Sequence, residues 1–158
     1  MAFEIERKFL VDTTKWAPTD EGTKLIQAYL GIDPSPTVRI RIAGDKAFLT
    51  IKGHSENISR SEFEYEVPVE DAMEMMKLTI SEPVEKTRYK TWVEGFMWEV
   101  DIFAGKNHGL VMAEIELESE DQEFSRPGWL FQEVSGDGRF YNSYLSGHPF
   151  QEWKDEMA

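Results

Sequence analysis

Charged side chains alternate with apolar ones along several short segments of this sequence. Arg39 and Arg41 are separated by one apolar residue, and so are Glu114 and Glu116. Because successive side chains of a β-strand point to opposite faces, this spacing places the charges of each segment on one face. A guanidinium group suits phosphate oxygens, and clustered carboxylates suit a hard cation such as Mg²⁺. The residues that share this pattern are Glu4, Glu6, Lys8, Arg39, Arg41, Lys52, Arg60, Glu62, Glu64, Glu66, Lys86, Arg88, Lys90, Glu99, Asp101, Glu114, Glu116 and Glu118.

An ordinary two-sided sheet, with its charged face in water, is the alternative explanation of this alternation. Three features favour a charged face that points inward. Nearly every polar position carries a full charge, the two signs are sorted by strand, and many of the bases are arginine. A lumen that contains both positive and negative side chains is costly to desolvate unless a ligand bridges the charges. A polyphosphate with a divalent metal supplies such a bridge.

Period-two alternation, the pattern of β-strands, covers most of the chain. The predicted strands are 3–11, 38–42, 47–52, 61–67, 86–92, 96–103 and 111–118, with a weaker one at 137–142. Helices are predicted over 69–78, near 12–16 and over 150–157. Short strands separated by turn residues indicate an antiparallel meander or barrel. The predicted fold class is therefore α+β and β-rich.

Length and composition exclude several classes of protein. The 158 residues predict a single domain over 1–158. Seventeen basic and thirty acidic residues give a formal charge of −13, which argues against nucleic acid and against a membrane surface as partners. The chain contains no cysteine, which removes thiol chemistry and fits a reducing compartment. The charged first residues and the lack of a long apolar run predict no export signal and no membrane span, so we expect a cytoplasmic protein.

The segment Glu4-Ile5-Glu6-Arg7-Lys8 resembles the Glu-x-Glu-x-Lys motif of the CYTH superfamily, the triphosphate tunnel metalloenzymes. Further family-like segments follow in the family's order at 39–41, 50–52, 61–64, 85–89, 99–101 and 114–118. The resemblance extends to about Asn142 and is strongest to small bacterial members, several of which hydrolyse inorganic triphosphate. It implies an eight-stranded antiparallel closed tunnel, or barrel, with a charged lumen and a few helices packed outside.

The resemblance also implies roles for individual residues. The triphosphate would be held by Lys8, Arg39, Arg41, Lys52, Lys86, Arg88 and Arg139. Two ions of Mg²⁺ or Mn²⁺ are implied. Asp101, Glu114 and Glu116 would hold the ion that bridges the phosphates, and Glu4 with Glu6 would hold one that activates water. The implied catalytic residues are Glu4, Glu6, Lys8, Glu62 and Glu64, of which Glu62 and Glu64 would orient the water or complete the second metal site.

Two further positions, Gly138 and Tyr29, bear on the resemblance. Close bacterial relatives carry a lysine where Gly138 stands, which makes Arg139 the expected substitute. Tyr29 lies in a family-like segment. It either helps to position catalytic groups or packs in the core, and the sequence leaves both roles open.

The resulting hypothesis is metal-dependent hydrolysis of inorganic triphosphate, with nucleoside triphosphates as further candidate substrates. The alternatives are a thiamine triphosphatase, a class IV adenylyl cyclase, and a non-catalytic module that binds polyphosphate or nucleotide. The two alternative enzymes need an aromatic site, for which the five tryptophans are candidates. The expected partner is a small triphosphate, and a homodimer is left open. We also expect that Arg39 or Arg88 can be removed at a cost to substrate binding and without harm to folding.

Overall fold

The computed structural model describes residues 3–32 and 36–157. Nine strands form one antiparallel sheet, and they are β1 (Phe3–Val11), β2 (Thr23–Gly31), β3 (Thr37–Ala43), β4 (Lys46–Lys52), β5 (Ser59–Val67), β6 (Val84–Val93), β7 (Phe96–Phe103), β8 (Val111–Glu116) and β9 (Leu130–Glu133). The α-helices are α1 (Val69–Met75), α2 (Asn142–Gly147) and α3 (Phe150–Trp153). Within the described residues, none of the helices has the length and apolar character needed to cross a membrane.

Strand β1 closes the sheet into a barrel. The spatial order is β5-β4-β3-β2-β6-β7-β8-β1-β9, and the start of β1 also pairs with β5. Glu4 lies opposite Arg60 of β5, whereas Lys8 lies opposite Glu114 of β8. Strands β1 to β8 therefore make the closed eight-stranded barrel that was predicted, and β9 is an extra strand beside the second half of β1.

The apolar side chains form three clusters, two of which lie outside the barrel wall. Trp98, which is fully buried, packs with Phe9 and Trp16 in one cluster. Helix α1 covers β3 and β4 and buries Ala72 there. Helices α2 and α3 belong to a third cluster at one end of the barrel, where Phe103 and Met112 share the inward strand face with the lumen residue Lys86 and with Asp101. Burial of a large apolar side chain stabilises a fold by about 1.5–3 kcal/mol, so these three clusters stabilise the barrel while the rest of its inner face carries charge.

Two strands were not predicted. Strand β2 carries Gln27 opposite Arg41 and Tyr29 opposite Arg39, so its lumen-facing positions are neutral. Its outward side is also covered, and Ala28 is fully buried. A strand that is buried on both faces lacks the alternation of charge on which the sequence analysis depended. Strand β9 has only four residues, which is too short for a periodic pattern.

The predicted helices at 69–78 and 150–157 are confirmed, each as a short α-helix followed by a 3₁₀ turn. The helix predicted near 12–16 is wrong, because the Asp12 carboxylate accepts the Thr14 backbone N–H at 3.0 Å and makes a turn. The weak strand at 137–142 is also wrong. There the Asp137 carboxylate accepts the Arg139 N–H at 3.0 Å, which begins a 3₁₀ turn that leads into α2. Strand β8 ends at Glu116, earlier than predicted.

Candidate active site

The barrel encloses a polar cavity of about 270 Å³. Its wall consists almost entirely of charged and hydrogen-bonding side chains. The lining residues are Glu4, Glu6, Lys8, Tyr29, Thr37, Arg39, Arg41, Lys52, Arg60, Glu62, Glu64, Lys86, Arg88, Glu99, Glu114, Glu116, Tyr141, Asn142 and Ser143. Of the site residues expected from the sequence, all line this cavity except Asp101 and Arg139.

Two arginines of β3 present unused hydrogen-bonding capacity to the cavity. Arg39 is only 6% exposed, and its buried Nε has no hydrogen-bond partner among the described residues. Arg41 donates its Nε–H to Gln27 at 2.9 Å, and within the described chain no carboxylate lies within 4.0 Å of its guanidinium. Burial, together with Arg39 and Arg88, lowers the pKa of Arg41 to about 9, which still leaves it charged at neutral pH. Crowded cations with free donors make this wall a receptor for an anion with several oxygens.

Asp101 is the buried partner of two further cations of the cavity wall, Lys86 and Arg88. Its oxygens accept two hydrogen bonds from Arg88, at 2.8 Å and 2.9 Å, and the Lys86 ammonium lies 2.7 Å away. Burial raises the pKa of Asp101, but Lys86 and Arg88 outweigh that effect and hold it well below its ordinary value. Lys86 also donates to the Asn142 side chain at 2.9 Å. Asp101 is thus the counter-ion of two lumen cations, and its side chain does not line the cavity as expected of a metal ligand.

Two acids on β1 have opposite electrostatic environments. The Glu4 carboxylate lies 3.1 Å from the Lys52 ammonium and 3.3 Å from Arg60 Nε. Burial raises the pKa of Glu4, but the two cations outweigh it and bring the value to about 2. Burial also acts on Glu6, where Glu114 and Glu4 add to it and raise the pKa to about 7. Glu4 is therefore ionised, whereas Glu6 carries a proton part of the time at neutral pH.

The two acids of β8, Glu114 and Glu116, also have different electrostatic environments. Glu114 lies 3.6 Å from the Lys8 ammonium, which also lies 3.8 Å from Glu6. Burial opposes ionisation of Glu114, but Lys8 and Arg88 lower its pKa to about 2. Glu116 lies opposite Glu6 in the strand register. Burial and the charge of Glu4 raise the pKa of Glu116. Glu6 and Glu116 together form a crowded acidic patch, and a bound cation would reduce the repulsion between its carboxylates.

The elevated pKa of Glu6 predicts a pH-dependent effect of Glu6→Gln on stability. The folded protein holds a proton on Glu6 up to about pH 7, whereas the unfolded chain releases it near the ordinary value of 4.5. The contribution of this group to stability therefore falls as the pH rises from about 4.5 to about 7. Glutamine has no proton to lose, so the variant should melt at least about 3 °C above the parent at pH 8 and close to it at pH 5.

This prediction is checked by thermal melts in the absence of divalent cations. Glu118→Gln, an exposed residue beyond the end of β8, is the matched control and should show no such pH dependence. Equal melting temperatures of parent and Glu6→Gln at pH 8 would contradict the crowding of Glu6 by Glu114 and Glu4.

Several lining residues were given no role at the site in the sequence analysis. The alternation placed Arg60 on the charged face with Glu62 and Glu64, but the resemblance implied no role for it. Tyr141 had no such signal, because it follows the 3₁₀ turn at the end of the chain's last loop. Its ring centroid lies 5.3 Å from Lys8 Nζ and 5.8 Å from Arg60 Cζ, which places an aromatic face against two lumen cations. Thr37, Glu99, Asn142 and Ser143 complete the residues that were not assigned to the site.

Arg139 is held outside the cavity. Its guanidinium lies 2.6 Å from the Asp137 carboxylate and 5.3 Å from the ring centroid of Trp153. The backbone turn that joins Asp137 to Arg139 fixes this local pair. The position at Gly138 is therefore not compensated by a neighbouring cation in the lumen.

The tryptophans also lie away from the cavity. Trp16, Trp98 and Trp129 pack together outside the barrel wall. Trp153 belongs to the cluster around α3, and Trp92 is 71% exposed. No tryptophan is available to stack on a base or a thiamine ring inside the central cavity.

Comparison with known proteins agrees with this geometry. The family model described as the CYTH domain matches residues 2–141. The chain is similar to an inorganic triphosphatase of Acetivibrio thermocellus, with 46% identity over 156 residues that cover 98% of this chain and 100% of the relative. An inorganic triphosphatase of Nitrosomonas europaea is 37% identical over 150 residues, which cover 90% of this chain and 96% of the relative. The crystal structure of the inorganic triphosphatase NE1496 has a TM-score of 0.65 and 35% identity, and the match covers 90% of this chain and 97% of that one. A closed barrel with a charged lumen, matched over most of its length, thus shows that this chain belongs to the CYTH domain family.

Proposed function

We propose that this protein is an inorganic triphosphatase, a hydrolase that cleaves a phosphoanhydride bond of tripolyphosphate. The observation that carries the proposal is the cavity itself, in which a wall of arginines and lysines faces a wall of glutamates inside a closed barrel. The relatives named inorganic triphosphatase, at 46% and 37% identity, support the same activity.

The basic wall accounts for recognition of the phosphates. Among the described residues Arg39 and Arg41 have donors without a partner, and Asp101 holds Arg88 and Lys86 in place on the same cavity wall. Lys8 and Lys52 extend the set toward the acids. The cavity offers no tryptophan to an organic group, which favours tripolyphosphate over thiamine triphosphate or a cyclase substrate. Nucleoside triphosphates remain candidate secondary substrates because their phosphate chain has the same charge pattern.

The acidic wall fits a hard divalent cation, which we propose to be Mg²⁺ or Mn²⁺. Other carboxylates crowd Glu6 and Glu116 and raise the pKa of both, so a bound cation would reduce the repulsion at this wall. In residues 3–32 and 36–157 no three acidic or histidine side chains form a ready metal cage. That arrangement suits Mg²⁺, which typically binds through one or two carboxylates together with substrate phosphates.

We retain two ions, one near Glu4 and Glu6 and one near Glu114 and Glu116. Asp101 is left out of the metal ligands and Arg139 out of the phosphate-binding residues, because neither side chain lines the cavity. When bound, a divalent cation neutralises phosphate charge and favours ionisation of a bound water.

The chain's own residues contribute positioning and electrostatic stabilisation. Phosphoryl transfer requires little covalent chemistry from the protein, so the arrangement of donors around the equatorial oxygens provides most of the catalysis. Lys8, between Glu6 and Glu114, holds the acidic wall next to the phosphates. Glu62 and Glu64 lie along β5 at the edge of the cavity, where they can orient an attacking water.

The test is a phosphate-release panel with Mg²⁺ or Mn²⁺ and four substrates, tripolyphosphate, pyrophosphate, ATP and thiamine triphosphate. We expect the highest kcat/KM for tripolyphosphate, and a low value for pyrophosphate because it offers fewer oxygens to the basic wall. Tight binding of tripolyphosphate without phosphate release would instead indicate a non-catalytic binding module. Formation of cyclic AMP from ATP would indicate a cyclase.

The cellular setting follows from composition. We propose a cytoplasmic protein that acts on a small molecule and does not bind nucleic acid, as the charge of −13 and the lack of cysteine suggest. A homodimer is left open, and sedimentation analysis would test for one.

A further inference from the structure

Gln27 is a buried side chain that connects two groups of the cavity wall. It is 0% exposed and lies on β2, next to the lumen but not lining it. Its Oε1 accepts the Nε–H of Arg41 at 2.9 Å, and its Nε2 donates to the hydroxyl oxygen of Tyr29 at 2.9 Å. Both partners line the cavity.

The direction of these hydrogen bonds is determined by chemistry. A guanidinium group only donates, so the amide oxygen of Gln27 must face Arg41. The amide nitrogen must then face Tyr29, and because that nitrogen only donates, the Tyr29 oxygen accepts. The hydroxyl hydrogen of Tyr29 consequently points to some other acceptor. Among the described residues the Tyr29 hydroxyl has no acceptor within hydrogen-bonding distance.

The position of Tyr29 shows where that hydrogen can go. Tyr29 lies opposite Arg39 in the strand register, is 3% exposed, and lines the cavity. The nearest functional neighbours on this wall are therefore cations, which cannot accept a hydrogen bond. The bond to Gln27 also occupies the Nε–H of Arg41 and leaves its two terminal nitrogens available to the cavity.

We propose that Gln27 is a positioning residue that aims the terminal nitrogens of Arg41 and the hydroxyl hydrogen of Tyr29 together at phosphate oxygens of the substrate. This inference rests on the proposed triphosphatase function. It assigns Tyr29 a binding role as a neutral donor, and it selects between the two roles that the sequence left open for that residue.

Three variants test the proposal. Tyr29→Phe removes the hydroxyl and keeps the ring. Gln27→Met keeps the approximate volume and removes both hydrogen bonds. Gln27→Glu keeps acceptors for both partners, but a carboxylate has no donor, so the Tyr29 hydroxyl would turn its hydrogen toward residue 27 and away from the cavity. Gln132→Met, on the exposed strand β9, is the control for the glutamine substitutions.

The decisive measurement is a double-mutant cycle on kcat/KM for tripolyphosphate. In the parent, Tyr29→Phe should lower kcat/KM by about tenfold or more, as expected for a hydrogen bond to a charged group. Gln27→Glu should cause a similar or larger loss, and adding Tyr29→Phe to it should cost less than about threefold more. Gln27→Met should also lose activity, whereas Gln132→Met should behave like the parent.

Two outcomes would overturn the proposal. One is parental kcat/KM in either Gln27 variant, and the other is an equal cost of Tyr29→Phe with and without Gln27→Glu. A merely structural role would lower the melting temperature without producing the non-additivity, so thermal melts accompany the kinetics. If Gln27→Met does not fold, the cycle with Gln27→Glu still decides.

Calorimetric binding of a non-hydrolysable triphosphate analogue at saturating Mg²⁺ separates this inference from the proposed function. If the parent released no phosphate, the triphosphatase proposal would fail. The same non-additivity in binding affinity would still support the positioning role of Gln27. If the parent hydrolysed tripolyphosphate and the cycle were additive in both kcat/KM and binding affinity, only the positioning role of Gln27 would fail.

Discussion

Replacement of Arg88 by methionine is expected to abolish turnover and to destabilise the fold, whereas Arg39→Met should lose activity with little change in stability. Arg88 makes two hydrogen bonds to Asp101, whose side chain is 1% exposed. Without Arg88 that buried carboxylate would keep only Lys86 as a charged partner among the described residues. Loss of one partner of a buried ion pair typically costs about 3 kcal/mol or more.

Arg39 has no comparable partner. Its Nη2 lies 3.2 Å from the Thr50 hydroxyl and 3.5 Å from the exposed Glu64, and its buried Nε has no hydrogen-bond partner among the described residues. Its removal deletes an unsatisfied donor, so the free energy of unfolding should change by less than about 1 kcal/mol. Both variants should lower kcat/KM by about tenfold or more per lost charged hydrogen bond.

Denaturant unfolding and tripolyphosphate kinetics on the two variants check this contrast. Equal stability of Arg88→Met and the parent would show that Asp101 does not depend on Arg88. Parental kinetics of Arg39→Met would show that the inward-facing arginines are not part of a phosphate site. The structure thereby revises the expectation that either arginine can be removed without harm to folding.

Removal of divalent cations is expected to abolish turnover. Tripolyphosphate brings several negative charges to a cavity that already contains Glu4, Glu6, Glu114 and Glu116, and without a cation these charges repel. Excess EDTA should bring phosphate release to background, and added Mg²⁺ or Mn²⁺ should restore it. Full activity in EDTA, with the metal content of the sample checked, would falsify the metal-bridged site.

Two isosteric variants then test how the ions are divided. If Glu6 holds the ion that activates water, Glu6→Gln should lower kcat and leave tripolyphosphate affinity largely intact. If Glu116 holds the ion that bridges the phosphates, Glu116→Gln should weaken both. Calorimetry with a non-hydrolysable triphosphate analogue at saturating Mg²⁺ supplies the affinities. Since Glu6 and Glu116 lie opposite each other in the strand register, equal loss of binding in both variants would indicate one shared site.

Internal ion pairs stabilise the lumen before substrate arrives. Lys52 lies 3.1 Å from Glu4 and 3.3 Å from Glu62, and Lys8 lies near Glu114 and Glu6. A phosphate chain must therefore exchange some of these pairs for contacts of its own. Asp101 keeps Lys86 and Arg88 in place during such an exchange, because it is buried behind them and does not line the cavity.

The sequence by itself determined which charges share a strand face and favoured an inward position for that face, and its motifs implied the closed barrel through their resemblance to the CYTH superfamily. Alternation at Arg39 and Arg41, or at Glu114 and Glu116, assigns each pair to one face, since the period of a strand is two for every fold. Full charges at nearly every polar position, sorted by sign, then favoured a lumen over a wetted surface. These are local properties, and they require no knowledge of which strands are neighbours.

The tertiary structure decided which charges pair and which remain free. Asp101 and Glu114 look alike in the strand pattern, yet Asp101 is enclosed by Arg88 and Lys86, while Glu114 lines the cavity. Arg139 appeared to be a substitute cation, but a turn two residues away pairs it with Asp137. Gln27 and Tyr29 gave no charge signal, because their roles depend on Arg41 and Arg39 of the neighbouring strand. Strand register and side-chain burial set these partners, and both depend on contacts between residues far apart in the chain.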